Sequence, residues 1–239
     1  MPEAELKNIA LLIDADNASH AGIDPVLTVL AELGQVNIRR AYGNWAKPAL
    51  SNWNKITHRF GLQPMQQFDL TKGKNATDIA MAIDAIDLLN AGKVDGFGIM
   101  SSDSDFTPLV TRLRQDGMVV YGFGGAKAPE AFRSACTRYI DVDQLIRTNN
   151  SEDVERPRET TNATVDAELV DLLGEALKAA KRDEQGFASL SEVGKIAGNR
   201  SSFDVRNYGF KRLSDMFEAI DRFQVERRED RGLYVKRLR

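Results

Sequence analysis

Phe97-Gly98-Ile99-Met100-Ser101-Ser102-Asp103-Ser104-Asp105-Phe106 carries an apolar strand straight into small hydroxyl residues and two aspartates, where a helix begins. A second run of the same kind, Ile13-Asp14-Ala15-Asp16-Asn17, closes an apolar stretch near the N-terminus. Short apolar runs bounded by turn residues read as buried strands. In a parallel sheet the carboxyl ends of the strands share one edge, and ligands bind in the crevice outside that edge. Two acidic strand ends on one edge therefore predict a divalent-metal site.

Outward from these runs, strand and helix signals alternate. The strand at 8–14 is followed by Asp24-Pro25, an N-cap with Pro at the first helical position, and a helix to Leu33 before Gly34. Residues 35–42 read as a second strand, and Pro48 opens a helix that Gly61 ends. Residues 62–68 form a weaker third strand. Asn75 reads as the cap of a helix over 76–91, followed by a strand at 94–100 and a helix over 104–115. A strand at 118–123, a helix over 129–138 and a short strand at 139–142 complete the series. Such alternation argues for a parallel sheet covered on both faces. Right-handed crossovers then place all strand ends on one side. The expectation is an α/β sandwich, with residues 1–147 as the first domain.

Residues 148–163 are rich in Asn, Ser, Glu, Arg and Thr, contain Pro157 and lack apolar periodicity, so they read as a linker. Residues 164–239 read as a second domain. An amphipathic helix over 165–181 places Leu169, Leu172, Leu173, Ala176 and Leu177 on one face. Helices over 190–198 and 207–220 follow. Strands at 223–226 and 233–236 then flank Glu229-Asp230-Arg231-Gly232, a hairpin turn signal. Three helices and a hairpin follow a winged-helix order.

The chain has 239 residues, 42% hydrophobic and 28% charged, as in an ordinary soluble protein. No window approaches the ~18 uninterrupted apolar residues of a membrane helix, and no signal peptide is evident. Cys136 is the single cysteine and His20 and His58 the only histidines, which excludes an internal disulfide and argues against zinc. A cytoplasmic compartment is expected. The net charge of −3 conceals an asymmetry: residues 1–159 carry −4 and residues 195–239 carry +5. An acidic half followed by a basic end suggests a site-bearing domain joined to one with an anionic partner.

Asp14, Asp16, Asn17, Asp103 and Asp105 fall at strand ends or helix starts, and Asp78 in the first turn of its helix. Gathered carboxylates repel, and a hard cation relieves the repulsion. Mg²⁺ prefers oxygen ligands, keeps several waters and takes one or two carboxylates directly. Aspartates without His or Cys suit phosphodiester hydrolysis better than zinc chemistry. Each acid alone has a simpler reading. Ser102 or Asp103 can cap the next helix, and Asp78 at a helix N-terminus complements the dipole. Asp84 and Asp87, farther along, read as solvated or supporting residues. The combination is more specific than any member.

Leu12-Ile13-Asp14-Ala15-Asp16-Asn17, Lys74-Asn75-Ala76-Thr77-Asp78 and Ser101-Ser102-Asp103-Ser104-Asp105-Phe106 together resemble the NYN domain, a member of the PIN-like nuclease superfamily. Tyr121-Gly122-Phe123-Gly124 followed by Pro129-Glu130-Ala131-Phe132 strengthens the resemblance. It implies a PIN-like three-layer α/β/α sandwich and a Mg²⁺- or Mn²⁺-dependent ribonuclease. Carried over, Asp14, Asp78, Asp103 and Asp105 would be the catalytic, metal-binding acids. Asp16, Asn17, Ser101 and Ser102 would support them.

RNA, single-stranded or structured, is the implied partner. Lys72 and Lys74 lie in a Gly-containing loop before Asp78 and suit phosphate contacts. Arg39 and Arg40 read as the end of a strand, with Trp45 and Lys47 just beyond, and an aromatic beside cations suits base stacking. Packing of Trp45 and Trp53 on the sheet is the simpler alternative. Lys127 follows the Gly-rich segment 122–125, which is not a P-loop.

The second domain, with Tyr208-Gly209-Phe210 as its best-matching segment, resembles the OST-HTH or LOTUS domain, which implies RNA binding or docking of a protein partner. Lys211, Arg212, Arg227 and Arg228 would contribute to a cationic face there, giving salt-sensitive affinity. PIN-like domains often self-associate, so a homo-oligomer is a further implication. Two rivals remain open: a non-catalytic RNA-binding adaptor, and a haloacid-dehalogenase-type phosphatase with Asp14 as nucleophile.

Overall fold

The computed structural model describes residues 6–68, 75–150, 167–201, 203–228 and 232–238. Two compact units emerge, Met1–Asn149 and Asn150–Arg239.

In the first unit six strands form one parallel sheet. They are β1 (Leu6–Asp14), β2 (Gly34–Gly43), β3 (Gln63–Gln66), β4 (Gly96–Met100), β5 (Val119–Gly124) and β6 (Arg138–Asp141). Their order across the sheet is β3-β2-β1-β4-β5-β6. The helices are α1 (Ile23–Ala31), α2 (Ser51–Phe60), α3 (Ala76–Asn90), α4 (Thr107–Gln115), α5 (Glu130–Ala135) and α6 (Val142–Asn150).

Strand alternation produces the two layers of core. On β1, Ile9, Leu11 and Ile13 enter a cluster with Ile23, Val26 and Leu30 of α1, Trp53 of α2 and Leu145 of α6. Ala10 and Leu12 enter the opposite cluster, with Met81 and Ala85 of α3, Val110 and Leu113 of α4 and Phe132 of α5. All five of these β1 side chains are fully buried, which is why the run reads as continuously apolar.

Because β2 and β4 flank β1, the sheet reverses direction of growth between β1 and β4. The crevice outside such a switch point is where open α/β sheets bind ligands. Asp14 ends β1 beside Tyr42 of β2, and Ile13 lies opposite Met100, one residue before Ser101.

Several local readings of the sequence change. Asp24 does not cap its helix, because α1 begins at Ile23 after a short 3-10 turn, His20–Gly22. Arg39 and Arg40 lie within β2 rather than at its end, since pairing with β1 continues to Tyr42. Asn75 precedes α3 without capping it by a side-chain hydrogen bond. Helix α6 continues to Asn150, into the predicted linker, and residues 151–163 of that linker lie outside the described residues.

The second unit holds α7 (Ala167–Ala179), α8 (Leu190–Arg200), α9 (Leu213–Glu218), β7 (Ala188–Ser189), β8 (Phe223–Arg227) and β9 (Leu233–Arg237). The strands form an antiparallel sheet in the order β7-β9-β8. Leu169, Leu173, Leu177, Val193, Met216, Phe217 and Val235 share its core. The helix expected over 207–220 is broken. A 3-10 turn, Val205–Tyr208, stops at Gly209, whose φ of 78° lies in the left-handed region that favours glycine. Met216, Phe217 and Ile220 are buried all the same, so the apolar spacing survives the break. Strand β7, only two residues long, carries no periodicity from which to predict it. Most of the hairpin turn, 229–231, lies outside the described residues.

Candidate functional site

A chain of hydrogen bonds links the two acidic strand ends at the switch point. Asp14 is fully buried. Its Oδ2 accepts from Ser101 Oγ at 2.8 Å and from Asn17 Nδ2 at 3.0 Å, and its Oδ1 accepts from the Asn17 amide at 3.3 Å. Ser101 Oγ in turn accepts from the Asp103 amide at 3.1 Å. Asp103 Oδ1 caps the turn after β4 by accepting from the Asp105 amide at 2.9 Å. Asp105 Oδ2 accepts from Asn75 Nδ2 at 2.9 Å, so this amide serves the acidic crevice instead of its own helix. Asp16 Oδ2 accepts from Thr77 Oγ1 at 3.2 Å, and its Oδ1 from Lys47 Nζ at 3.4 Å. The C-terminal ends of β1 and β4 and the start of α3 are thereby held around one crevice.

The electrostatics follow from that convergence. Burial pushes the Asp14 carboxyl above its ordinary range, against the hydrogen bonds from Asn17 and Ser101. Asp78 is pushed up to about 6, first by desolvation and then by the charges of Asp14, Asp103, Asp105 and Asp16. Four aspartates from two other chain segments therefore act on Asp78. They do not form a closed cage: among the described residues, no three Asp, Glu, His or Cys side chains gather closely enough to hold a metal ion by themselves. The donor set is all oxygen and its charges are mutually repulsive. That fits a hydrated hard cation taking one or two carboxylates directly, and it does not fit a fully protein-coordinated transition metal.

Ser102 faces the neighbouring strand end, its Oγ accepting from the Gly125 amide at 2.9 Å. Tyr139 donates its hydroxyl to the Gly125 carbonyl at 2.9 Å. A Cβ on Gly124 would lie 2.5 Å from Tyr139 Oη, 2.6 Å from Ser102 Oγ and 2.7 Å from the Ser101 carbonyl. Only a glycine at 124 lets β5 approach the β4 turn this closely, which gives this glycine a packing reason independent of any phosphate.

The cations named from sequence divide into those built into the fold and those on its surface. Arg39 donates to the Val36 carbonyl at 3.0 Å and to the Phe60 carbonyl at 2.9 Å, tying β2 to the end of α2. Arg40 forms an ion pair with Asp84 of α3, reaching Oδ2 at 2.6 Å, and Tyr42 also donates to that carboxylate. Burial accordingly raises the Tyr42 phenol well above its usual range, with the Asp84 contact adding to the effect. Asp84, read from sequence as solvated or supporting, is thus an anchor between helix and sheet. Trp45 donates Nε1 to the Met65 carbonyl at 3.2 Å and packs against the core. These contacts give Arg39, Arg40 and Trp45 structural roles within the fold, in line with the packing alternative for Trp45. Lys47 faces Asp16, and Lys127 is exposed on the loop after β5. Lys72 and Lys74 lie outside the described residues.

In the second unit Lys211, Arg212 and Arg227 are exposed. Arg228 is not available in the same way. It pairs with Asp183 at 2.7 Å and Glu226 at 3.1 Å, and it stacks over Tyr234 at 4.4 Å and Phe187 at 5.1 Å. The interleaved acidic and aromatic residues that surround it make it a pin for the hairpin.

The chain belongs to the NYN domain family, which matches residues 8–145. Residues 161–235 match the OST-HTH/LOTUS domain. The NYN/PIN-like fold and the two-domain composition expected from the motifs are therefore present. An NYN domain suggests a PIN-like nuclease, and an OST-HTH/LOTUS domain suggests RNA binding. An uncharacterized protein of Methanocaldococcus jannaschii is 28% identical over 137 residues, covering 56% of this chain and 52% of that protein. The chain thus spans about half the length of this curated relative. A crystal structure of a protein of unknown function from Vibrio parahaemolyticus matches with a TM-score of 0.49 and 19% identity, covering 61% of this chain and 98% of that one. Among the described residues no helix is long and apolar enough to cross a membrane.

Proposed function

We propose that this protein is a Mg²⁺- or Mn²⁺-dependent ribonuclease that hydrolyses RNA phosphodiester bonds at the β1–β4 switch point, with RNA also held by the OST-HTH/LOTUS domain. One observation carries the reading. Aspartates from three distant segments, Asp14 and Asp16, Asp78, and Asp103 and Asp105, gather around one crevice, where burial first and the other four charges second push the Asp78 carboxyl up to about 6. A fold gains nothing in stability from gathering such charges, whereas a site for a cation and a phosphate needs them.

Asp78, Asp103 and Asp105 are the acids that reach solvent and would hold the cation. Asp14, buried behind them and fixed by Ser101 and Asn17, contributes charge from a rigid base and would complete the set. When bound, the cation lowers the pKa of a water and neutralises charge on the phosphate. The residues of the chain set the stage for that chemistry. Ser101 and Asn17 favour the ionised form of Asp14 by donating to it. Asn75 orients Asp105, and Thr77 and Lys47 hold Asp16 at the rim. The burial of Asp14, with both oxygens engaged, disfavours it as the nucleophile of a phosphatase.

Cleavage of a labelled RNA panel with Mg²⁺, Mn²⁺ or EDTA tests the reading. Wild type is expected to cut only with metal, and Asp14→Asn and Asp78→Asn are expected to be inactive while folded. A wild type that binds the panel but leaves it intact with every metal would instead establish the non-catalytic adaptor.

A further inference from the structure

Beside the acidic crevice an apolar groove runs between α3 and the start of α4. It encloses about 360 Å³, within the range of small-ligand sites. Its walls are apolar, with Ile79, Ala82 and Ile86 on one side and Phe106, Pro108 and Leu109 on the other. Its mouth is polar, formed by Asn75, Asp78 and Asp105. Ile79 is 60% exposed and Ile83, one turn on, is 58% exposed. Two isoleucines left this open on one helix face form a patch that water disfavours and that folding of the domain does not require.

We propose that this groove receives an unpaired nucleobase of the RNA strand, next to the phosphate held at the acids; the inference rests on the RNA-cleaving reading above. Continuity selects the occupant. Asp78 and Asp105 belong to both the crevice and the groove, so whatever fills the groove must coexist with a substrate reaching those two carboxylates. A nucleotide does so by its own construction, phosphate at one end and a flat apolar-faced ring at the other. A protein seated on the groove would cover the acids. The chemistry of the two ends also matches. The ring faces lie against apolar side chains, and the ring edge meets carboxylate oxygens and the Asn75 amide. Acceptors of this kind suit a base bearing an exocyclic amino group, as carboxylates suit cytosine N4. The groove therefore prefers cytosine or adenine to uracil, and it favours single strands, where a base is free to turn out of the stack.

The test uses the full chain with its isoleucine methyl groups isotope-labelled, so that binding is read locally and without any need for cleavage. CMP, AMP, UMP and ribose 5-phosphate are titrated with Mg²⁺ present. CMP and AMP are expected to shift the methyl signals of Ile79 and Ile86, UMP to do so only at higher concentration, and ribose 5-phosphate to leave them in place. Ala82→Phe, which fills the groove, is expected to weaken the CMP response by about tenfold, the scale of one lost base contact. Ile79→Ser, at an open position, keeps the comparison valid should Ala82→Phe disturb the fold. Signals that ignore all nucleotides, or that respond equally to ribose 5-phosphate, overturn the proposal. Signals that move with protein concentration alone assign the groove to a second copy and likewise overturn it. RNA cleavage measured on the same samples keeps the two ideas apart: cleavage without methyl shifts sinks the groove alone, and base-dependent shifts without cleavage sink the nuclease alone.

Discussion

Removing one charge from the crevice should stabilise the metal-free protein. In Asp78→Asn the side chain keeps its size and loses its ionisation. The wild-type carboxyl is raised from 3.8 to about 6 in the folded state. Above pH 6 that shift would cost about 3 kcal/mol if fully transmitted. Asp78 faces water over much of its surface, and screening reduces the effect to about 1 kcal/mol. The sign follows from linkage. The folded state binds the Asp78 proton more tightly than the unfolded state, so the contribution of this group to stability is fully present below pH 3.8 and is lost as the pH rises through about 6. The amide that replaces the carboxyl does not titrate, so the variant is expected to gain about 1 kcal/mol, or roughly 3–5 °C in Tm, at pH 7.5 and nothing at pH 4. Urea unfolding in EDTA, followed by tryptophan fluorescence, reads the correct unit, because the two tryptophans, Trp45 and Trp53, both lie in the NYN domain. Equal stability of the two proteins at pH 7.5, or the same difference at both pH values, would refute the claim that burial and the neighbouring aspartates raise the Asp78 carboxyl. Added Mg²⁺ should then raise the wild type more than the variant, in line with the proposed cation site.

Gly124→Ala should destabilise the NYN domain by about 1–3 kcal/mol, because the new methyl has no room against Tyr139, Ser102 and Ser101; thermal melts of the two proteins check this. In the second domain Arg228→Ala should lower thermal stability and leave the salt dependence of RNA binding unchanged, since Arg228 is held by Asp183 and Glu226. Arg212→Ala should instead reduce the slope of log affinity against log salt by about 0.7–1, the signature of one lost phosphate contact. Cys136 is buried and its thiol is pushed up to about 12, first by desolvation. A disulfide reagent at pH 8 should therefore leave the native protein unmodified and react only at the rate of opening, which a time course in and out of urea separates.

The parallel architecture was legible because its signals are local. Fully buried strands leave continuous apolar runs such as Ile9–Ile13, and the chain must turn directly after them, so Asp14 and Ser101-Ser102-Asp103 announced strand ends on one edge. Gly61, with a φ of 61°, likewise marks its helix end by a property of the residue itself. Other features had no local trace. The Asp84 carboxylate reads only as solvated or supporting until Arg40, 44 residues away, is laid beside it. Asn75 reads as a cap until Asp105 draws its amide away. The carbonyl partners that Phe60 offers Arg39 and Met65 offers Trp45 lie about twenty residues along the chain and leave no trace near either side chain in the sequence. The break at Gly209 was masked by apolar spacing that a kinked path satisfies as well as a straight helix does.

From the amino-acid order alone came the kind of chain this is: two domains, a parallel sheet and oxygen donors at its strand ends, since residue type and periodicity are set within a few positions. Tertiary structure alone decided which donors share a crevice, how far their charges act on one another, and that an apolar groove opens beside them. Those properties depend on the strand order β3-β2-β1-β4-β5-β6, because charge coupling and burial are functions of distance in space, and distance along the chain does not determine it.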